Sequence, residues 1–520
     1  MRRSTTAAAV AVVLGTALAG AAAGGPAQAR QTARSGCVLG GADFDGDTCG
    51  DLVVGDPAAT VKGLANAGRI NVLYGAATGT TGRRAVLAQG LPGVGDSAEA
   101  GDQFGAVLHA MRVDADPYAD LVVGVPQESV GSAERAGIIQ VIYGSADGLG
   151  AGRPGLVLRQ SVFGIAGAPE AGDRFGAALG ANTTRTDDGP APAIAYGAPG
   201  EDIGTSADAG LAGLVVFDRD TGAVTAAGAI DQGSPGISGT VEAGDRFGQS
   251  VAVIQGPGGF SCPVTGTRGL TMAVGAPGED FGSTADAGMV HVVRNLDGDS
   301  TLSQDTPGVD GAPEAGDQFG AALALTSECE HDGPSHIKLV VGTPGEDEGA
   351  IADSGMIHYF GTDDDELPLP HRWSVHQNSV DVADQSEAGD RFGAVLALGG
   401  PWRGDNVGQA IVVGVPREDV GATADAGAVH IFGDSLVAPG AADLFVTQAQ
   451  AAEPVEAGDQ FGAALAAYQD HLLIGAPDDV THSTGLVHGL PWTQAGTGLS
   501  FVPGQDGVPA DAVRFGAAVD

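Results

Sequence analysis

Aspartates alternate through one short stretch, D-F-D-G-D-T-C-G-D, at residues 43–51. Asp43, Asp45, Asp47 and Asp51 occupy positions 1, 3, 5 and 9 of a loop. Gly46 lets the chain bend, and the carbonyl of Cys49 is available at position 7. Inward-pointing carboxylates in this order make an oxygen cage, which suits a hard cation of calcium size. The EF-hand order differs: no glutamate follows at position 12, and the apolar run D-L-V-V-G comes next. The expected metal site is therefore Asp43, Asp45, Asp47, Cys49 and Asp51, with Ca2+ as the ion; a solvated acidic turn is the alternative. A partial copy follows in Asp114, Asp116 and Asp120 at positions 3, 5 and 9, but Arg112 replaces the first ligand.

Other chemistry is sparse. A G-x-S-x-G elbow, an H-E-x-x-H zinc site and a Walker loop are all missing. His291, His358, His430 and His488 recur in one strand slot without a fixed partner in sequence. The 65 acidic residues offer too many carboxylate pairs to single one out. No cluster of His, Tyr, Arg or paired acids marks an axis. Arg403-Gly404-Asp405 reads as a chance tripeptide in a loop rather than an adhesion ligand. The expectation is a protein without catalytic residues.

The elements that position these residues repeat. E-A-G-D-R-F-G stands at 170–176, 242–248 and 387–393, and with Gln for Arg at 99–105, 314–320 and 456–462. The aspartates of these copies are 71, 72, 72, 73 and 69 residues apart. About twenty residues after each copy comes an apolar-Gly-x-Pro motif, and V-G-D-P from Val54 opens the series. Seven units of roughly 70 residues mean a repeat architecture. Each unit carries short apolar runs separated by Gly, Pro and Asp. In the third these are 175–180, 193–199, 213–217 and 223–230, and they read as strands. Four short strands, seven times, is the pattern of an all-β, seven-bladed β-propeller of four-stranded antiparallel blades. The E-A-G-D turns and the loops of the G-E-D-I-G-T-S-A-D-A-G type (200–210) fall on one face, with Glu201, Asp202 and Asp208 as the second loop's acids. Both read chiefly as turn-holding residues, because scaffold residues keep repeat symmetry and functional sites break it.

The pairs Phe104-Gly105, Phe175-Gly176, Phe247-Gly248, Phe319-Gly320, Phe392-Gly393 and Phe461-Gly462 precede their Gly-x-Pro motifs throughout. In this the chain resembles the FG-GAP repeats of the integrin alpha-chain N-terminal propeller and its bacterial relatives. The resemblance covers nearly the whole chain after the leader. It implies a seven-bladed propeller, calcium hairpins between first and second strands, and adhesion or ligand binding. The integrin calcium hairpins sit on blades four to seven, whereas the best one here is on blade one, so the integrin ligand face does not transfer residue by residue.

Residues 1–29 read as a signal peptide: Arg2 and Arg3, an Ala/Val/Leu stretch, then Ala27-Gln28-Ala29. The propeller then occupies 30–520, and secretion by the general route is expected. Four cysteines in an oxidising compartment allow three pairings. Cys37–Cys49 closes a short loop and is preferred, leaving Cys262–Cys329 as a clamp between neighbouring blades. The net charge of −41 argues against nucleic acid and anionic lipid as partners. No later segment is apolar for long enough to span a membrane. A secreted, monomeric, calcium-stabilised propeller binding an extracellular protein or glycan is expected. A polysaccharide hydrolase or lyase working at the central mouth and a structural surface protein are the rivals.

Ring closure is the last expectation. Arg514-Phe515-Gly516 starts a strand with no Gly-x-Pro after it, while the first unit has its Gly-x-Pro but only S-G-C-V-L-G-G (35–41) before it. Residues 515–519 are expected to form the innermost strand of the first blade beside 51–54, with 35–41 as an outer or capping segment pinned by its disulfide.

Overall fold

The computed structural model describes residues 41–520, apart from 77–78, 182–190, 256–269, 330–334, 363–366, 402–408, 434–442, 469–470, 483, 493–497 and 506–507. The leader 1–29, segment 35–40 with Cys37, Cys262 and the tripeptide 403–405 lie outside the described residues. Seven antiparallel sheets of four strands form a ring. Six blades use consecutive strands; blade 3, for example, runs Ala178–Ala181, Ala193–Ala198, Leu211–Phe217 and Val224–Ile230 from the axis outward. Among the described residues the helical content is one 3-10 turn, Gln448–Ala451. Among the described residues no helix is long and apolar enough to cross a membrane.

Blade 1 is made from both ends of the propeller. Ala518–Val519 is its inner strand, followed outward by Leu52–Asp56, Arg69–Ala76 and Gly79–Leu87. Val519 pairs with Val54 and Ala518 with Gly55, which is the closure expected for 515–519. Of the N-terminal side, only an Ala42–Asp51 bridge is described.

The seams explain why the two motifs travel together. The FG phenylalanines Phe104, Phe175, Phe247, Phe319, Phe392, Phe461 and Phe515 are all fully buried. Burying a phenylalanine is worth roughly 1.5–3 kcal/mol. The Gly of each Gly-x-Pro lies directly under the FG glycine carbonyl of the next blade. A Cβ at Gly55 would overlap the Gly105 carbonyl, and one at Gly475 would overlap that of Gly516. Backbone therefore packs on backbone at each seam, and any larger residue would push the blades apart.

The third-strand histidines do have partners, contrary to the expectation. His291, His358, His430 and His488 are wholly buried. The Nδ1–H of His291 donates to Asp299 at 2.5 Å, and that of His430 to Asp443 at 2.6 Å. His358 Nδ1 lies 2.8 Å from Ser374 Oγ, and His488 Nδ1 lies 3.3 Å from Ser500 Oγ. Each ring also meets the FG phenylalanine of its own blade, at centroid distances of 5.0 to 5.4 Å. The partners come from outermost strands or the loops before them, so no fixed sequence spacing reveals them. Burial holds His358 down to about 3 and His488 to about 4, so both are neutral packing groups.

Candidate functional site

The aspartate hairpin precedes the second strand of blade 1. Gly46 takes φ +76°, and a Cβ there would come 2.6 Å from the Tyr118 ring. The turn is thus glycine-dependent and rests on the equivalent turn of blade 2. Asp43, Asp45 and Asp51 each present an oxygen within 4.8 Å of the others. Asp47 stands apart from that group and accepts the Cys49 N–H at 2.8 Å. Asp43 accepts the N–H groups of Gly46 and Thr48 at 2.6 and 2.9 Å. Asp51 accepts those of Phe44 and Gly75 at 2.8 and 2.9 Å. Burial pushes Asp51 up to about 8 and raises Asp43 as well. Cys49 is disulfide-bonded, and Cys37 is outside the described residues.

An internal cation already serves this hairpin. Arg83 contacts Asp45 at 2.7 Å and lies 4.2 Å over the Tyr74 ring. Blade 2 repeats the device: Arg153 pairs with Asp114 and sits 3.4 Å over Tyr143. Asp120 repeats the bonds of Asp51, accepting Val113 and Gly144 N–H at 2.8 and 3.0 Å. Position 9 is therefore an architectural carboxylate in both blades. Position 3 has an arginine partner in both.

The opposite face carries the repeated acidic loops. Each E-A-G-D aspartate caps its own turn; Asp173 accepts the Glu170 N–H at 2.6 Å and Asp317 that of Glu314 at 2.6 Å. Asp202, Asp280, Asp347 and Asp419 each accept the N–H six residues on, at 2.8 to 2.9 Å. These are the turn-holding roles expected of them. The glutamates of the same loops are not solvated. Glu128, Glu201, Glu279, Glu346 and Glu418 are buried. Each accepts an amide N–H from a buried glutamine of the preceding blade: Gln89, Gln160, Gln232, Gln304 and Gln377. Gln448 and Asp479 complete the series at 2.9 Å. Burial, with neighbouring acids, raises Glu128 to about 8, Glu201, Glu279 and Glu346 to about 7 and Glu418 to about 9. Sequence reasoning missed this inter-blade clamp. Its signal was present, since the six glutamines stand 71, 72, 72, 73 and 71 residues apart.

The channel along the axis has a volume of about 620 Å³ and is walled by the inner strands of all seven blades. Leu, Ala, Val and Gly dominate it. One corner is polar: Tyr468 donates its hydroxyl to Asp520 at 2.5 Å, and His109 Nδ1 stands 3.7 Å from the same carboxylate. An asymmetric His/Tyr/acid cluster therefore does exist at the axis, against the sequence expectation. Its members are far apart in the chain and meet only because the ring closes.

Together these features define a seven-bladed β-propeller with an acidic loop face, an aspartate hairpin on the other face and one polar corner in the channel. Comparison with known families finds no match. Over 126 residues, 24% of this chain, the protein is 32% identical to a phosphatidylinositol-glycan-specific phospholipase D of Rattus norvegicus. The corresponding Homo sapiens protein is 30% identical over 128 residues. The chain spans 15% of the length of these curated relatives. The periplasmic gluconolactonase PpgL of Pseudomonas aeruginosa aligns over 89% of this chain and 97% of its own, with a TM-score of 0.43 and 10% identity. So distant a likeness carries no functional argument.

Proposed function

We propose that this protein is a secreted, monomeric, calcium-stabilised binding propeller of the FG-GAP kind, recognising an extracellular protein or glycan without catalysis of its own. The observation that carries the reading is the acidic loop face. Glu99, Glu170, Glu242, Glu314 and Glu387 are exposed there on turns that their own aspartates hold rigid. A rigid ring of like charge focuses its field on cationic partners and loses little entropy on binding. A basic protein segment, or a glycan bridged by calcium, fits it. A protein and glycan array, run with calcium and with chelator at low and high salt, tests this. The hit is expected to weaken with salt. A hit that binds the triple variant E170Q/E242Q/E314Q as tightly as wild type places recognition elsewhere.

Calcium is assigned to the hairpin. Its donors are all oxygen, and Asp43, Asp45 and Asp51 converge, as a hard cation requires. The ion would take over the charge-pairing role of Arg83 at Asp45. Calcium at a hundredfold excess over Kd is expected to add about 2.7 kcal/mol of stability. Asp45→Ala with Asp47→Ala should abolish most of the gain. A melting temperature unmoved between saturating calcium and excess chelator rejects the assignment.

The second reading, an enzyme at the central mouth, draws on the polar corner of the channel. Turnover of a polysaccharide panel, lost in His109→Ala, would establish it.

A further inference from the structure

The fifth residue after each FG phenylalanine belongs to the channel wall. Five blades place a small residue there: Gly180, Ala252, Ala324, Ala397 and Ala466. Blades 1 and 2, which are neighbours, place Asp520 and His109 instead. Tyr468, two residues beyond Ala466 in blade 7, completes the cluster. Two adjacent blades thus break the repeat at one place on the wall, and the blade next to them adds Tyr468. Symmetric packing does not call for these side chains, since five blades close the same ring with Gly or Ala.

The chemistry of the corner selects its ligand. Asp520 accepts the Ala110 N–H at 2.8 Å and the Tyr468 hydroxyl at 2.5 Å. Both bonds fix and orient the carboxylate, and each oxygen retains a further lone pair. Among the described residues no Lys or Arg lines the channel. Burial and the adjacent Asp520 charge raise the Tyr468 hydroxyl well above its ordinary range, so it remains a donor. The corner therefore holds an oriented side-chain carboxylate, with the His109 ring 3.7 Å away, against a mostly apolar wall. An anion is repelled by the carboxylate, and a neutral molecule brings no counter-charge to it. A divalent ion needs a cage of six or more oxygens, whereas the side chains of this corner are Asp520, Tyr468 and His109. Apart from Thr326 and Ser327, the remaining wall, with Leu108, Leu179, Leu323 and Leu398, is apolar and suits a hydrocarbon. A volume of about 620 Å³ is ample for a small molecule.

We propose that the channel is a binding site for a small organic ammonium ion with an apolar tail, with Asp520 as its counter-charge and Tyr468 as a positioning residue. The site is separate from the acidic face and from the calcium hairpin, and stands or falls without them.

Calorimetric titration of the intact protein with hexylammonium, hexanol and hexanoate at neutral pH tests the proposal. Hexylammonium is expected to bind one per chain, hexanol at least tenfold more weakly, and hexanoate not at all. Asp520→Asn should cost hexylammonium about tenfold. Tyr468→Phe should weaken hexylammonium several-fold and leave hexanol unchanged, which a purely structural tyrosine would not do. Because Asp520 also ties blade 2 to blade 7, Ala397→Phe provides an independent arm: it fills the channel from blade 6, leaves those ties intact, and should abolish binding in a chain with an unchanged circular dichroism spectrum. Equal affinity for hexanol and hexylammonium overturns the proposal. So does retained binding in Ala397→Phe, or no binding of hexylammonium up to about 10 mM.

Discussion

A chain lacking residues 514–520 is expected to lose several kcal/mol of stability and to form oligomers. Phe515 is fully buried in the seam between blades 7 and 1, and removing a buried phenylalanine side chain alone costs about 3–5 kcal/mol. Arg514 makes a two-pronged contact with Asp478 at 2.9 and 2.8 Å. Its N–H also donates at 3.0 Å to Asp56, a wholly buried carboxylate that pairs with Arg69 at 3.1 Å. Truncation would leave that carboxylate short of donors, a further cost of about 1–3 kcal/mol. It would also expose the inner edge of Leu52–Asp56, whose free backbone groups would pair with another chain. Denaturant midpoints and light scattering measure both effects, and a synthetic 514–520 peptide should restore the monomer. A truncated protein that stays monomeric with an unshifted midpoint would show that this strand does not close the ring.

The second large effect is a loss of stability in alkali. Glu128, Glu201, Glu279, Glu346 and Glu418 have folded-state values of about 7 to 9, against an ordinary 4.5. The aspartates beside them move the same way; Asp102, Asp173, Asp245 and Asp390 rise to about 6 and Asp317 to about 7. Between the two values the folded chain binds more protons than the unfolded one. The stability from these groups is therefore complete below about pH 4 and is lost as pH rises through 6 to 9. For a glutamate raised to about 7 the loss is on the order of 3 kcal/mol. His358 and His488 act oppositely: lowered to about 3 and 4, they stabilise above pH 6.5 and lose that contribution as pH falls towards 3. Carboxyls outnumber imidazoles, so maximal stability is expected near pH 4, with a melting temperature at pH 9 lower by at least about 10 °C. Glu418→Gln keeps the shape of its seam without the charge. It should raise stability at pH 9 and change it by less than about 1 kcal/mol at pH 5. A melting temperature that is flat or rising from pH 5 to 9 would contradict the buried-carboxyl account.

What the sequence determined by itself was the repeat and the backbone contact that each seam rebuilds. A 72-residue period fixes the blade count, and Phe-Gly with Gly-x-Pro marks each seam, because the same backbone contact must be rebuilt at every blade. Phe515-Gly516 could be assigned to blade 1 for that reason alone. The aspartates at 43–51 were legible because a turn is a local structure, and the bonds within it join residues two to seven apart, while the ties to Gly75 and Arg83 reach beyond it. The rest required the closed ring. Glu128 looks like any surface acid until Gln89 of the preceding blade covers it, and His291 looks unpaired until Asp299 arrives from the next strand. His109 and Asp520 are 411 residues apart and meet at 3.7 Å only because the last strand packs into the first blade. Side chains that face one another across a seam or the axis are related by the rotation of the propeller. Local spacing carries no trace of that rotation, and so only the tertiary structure could join them.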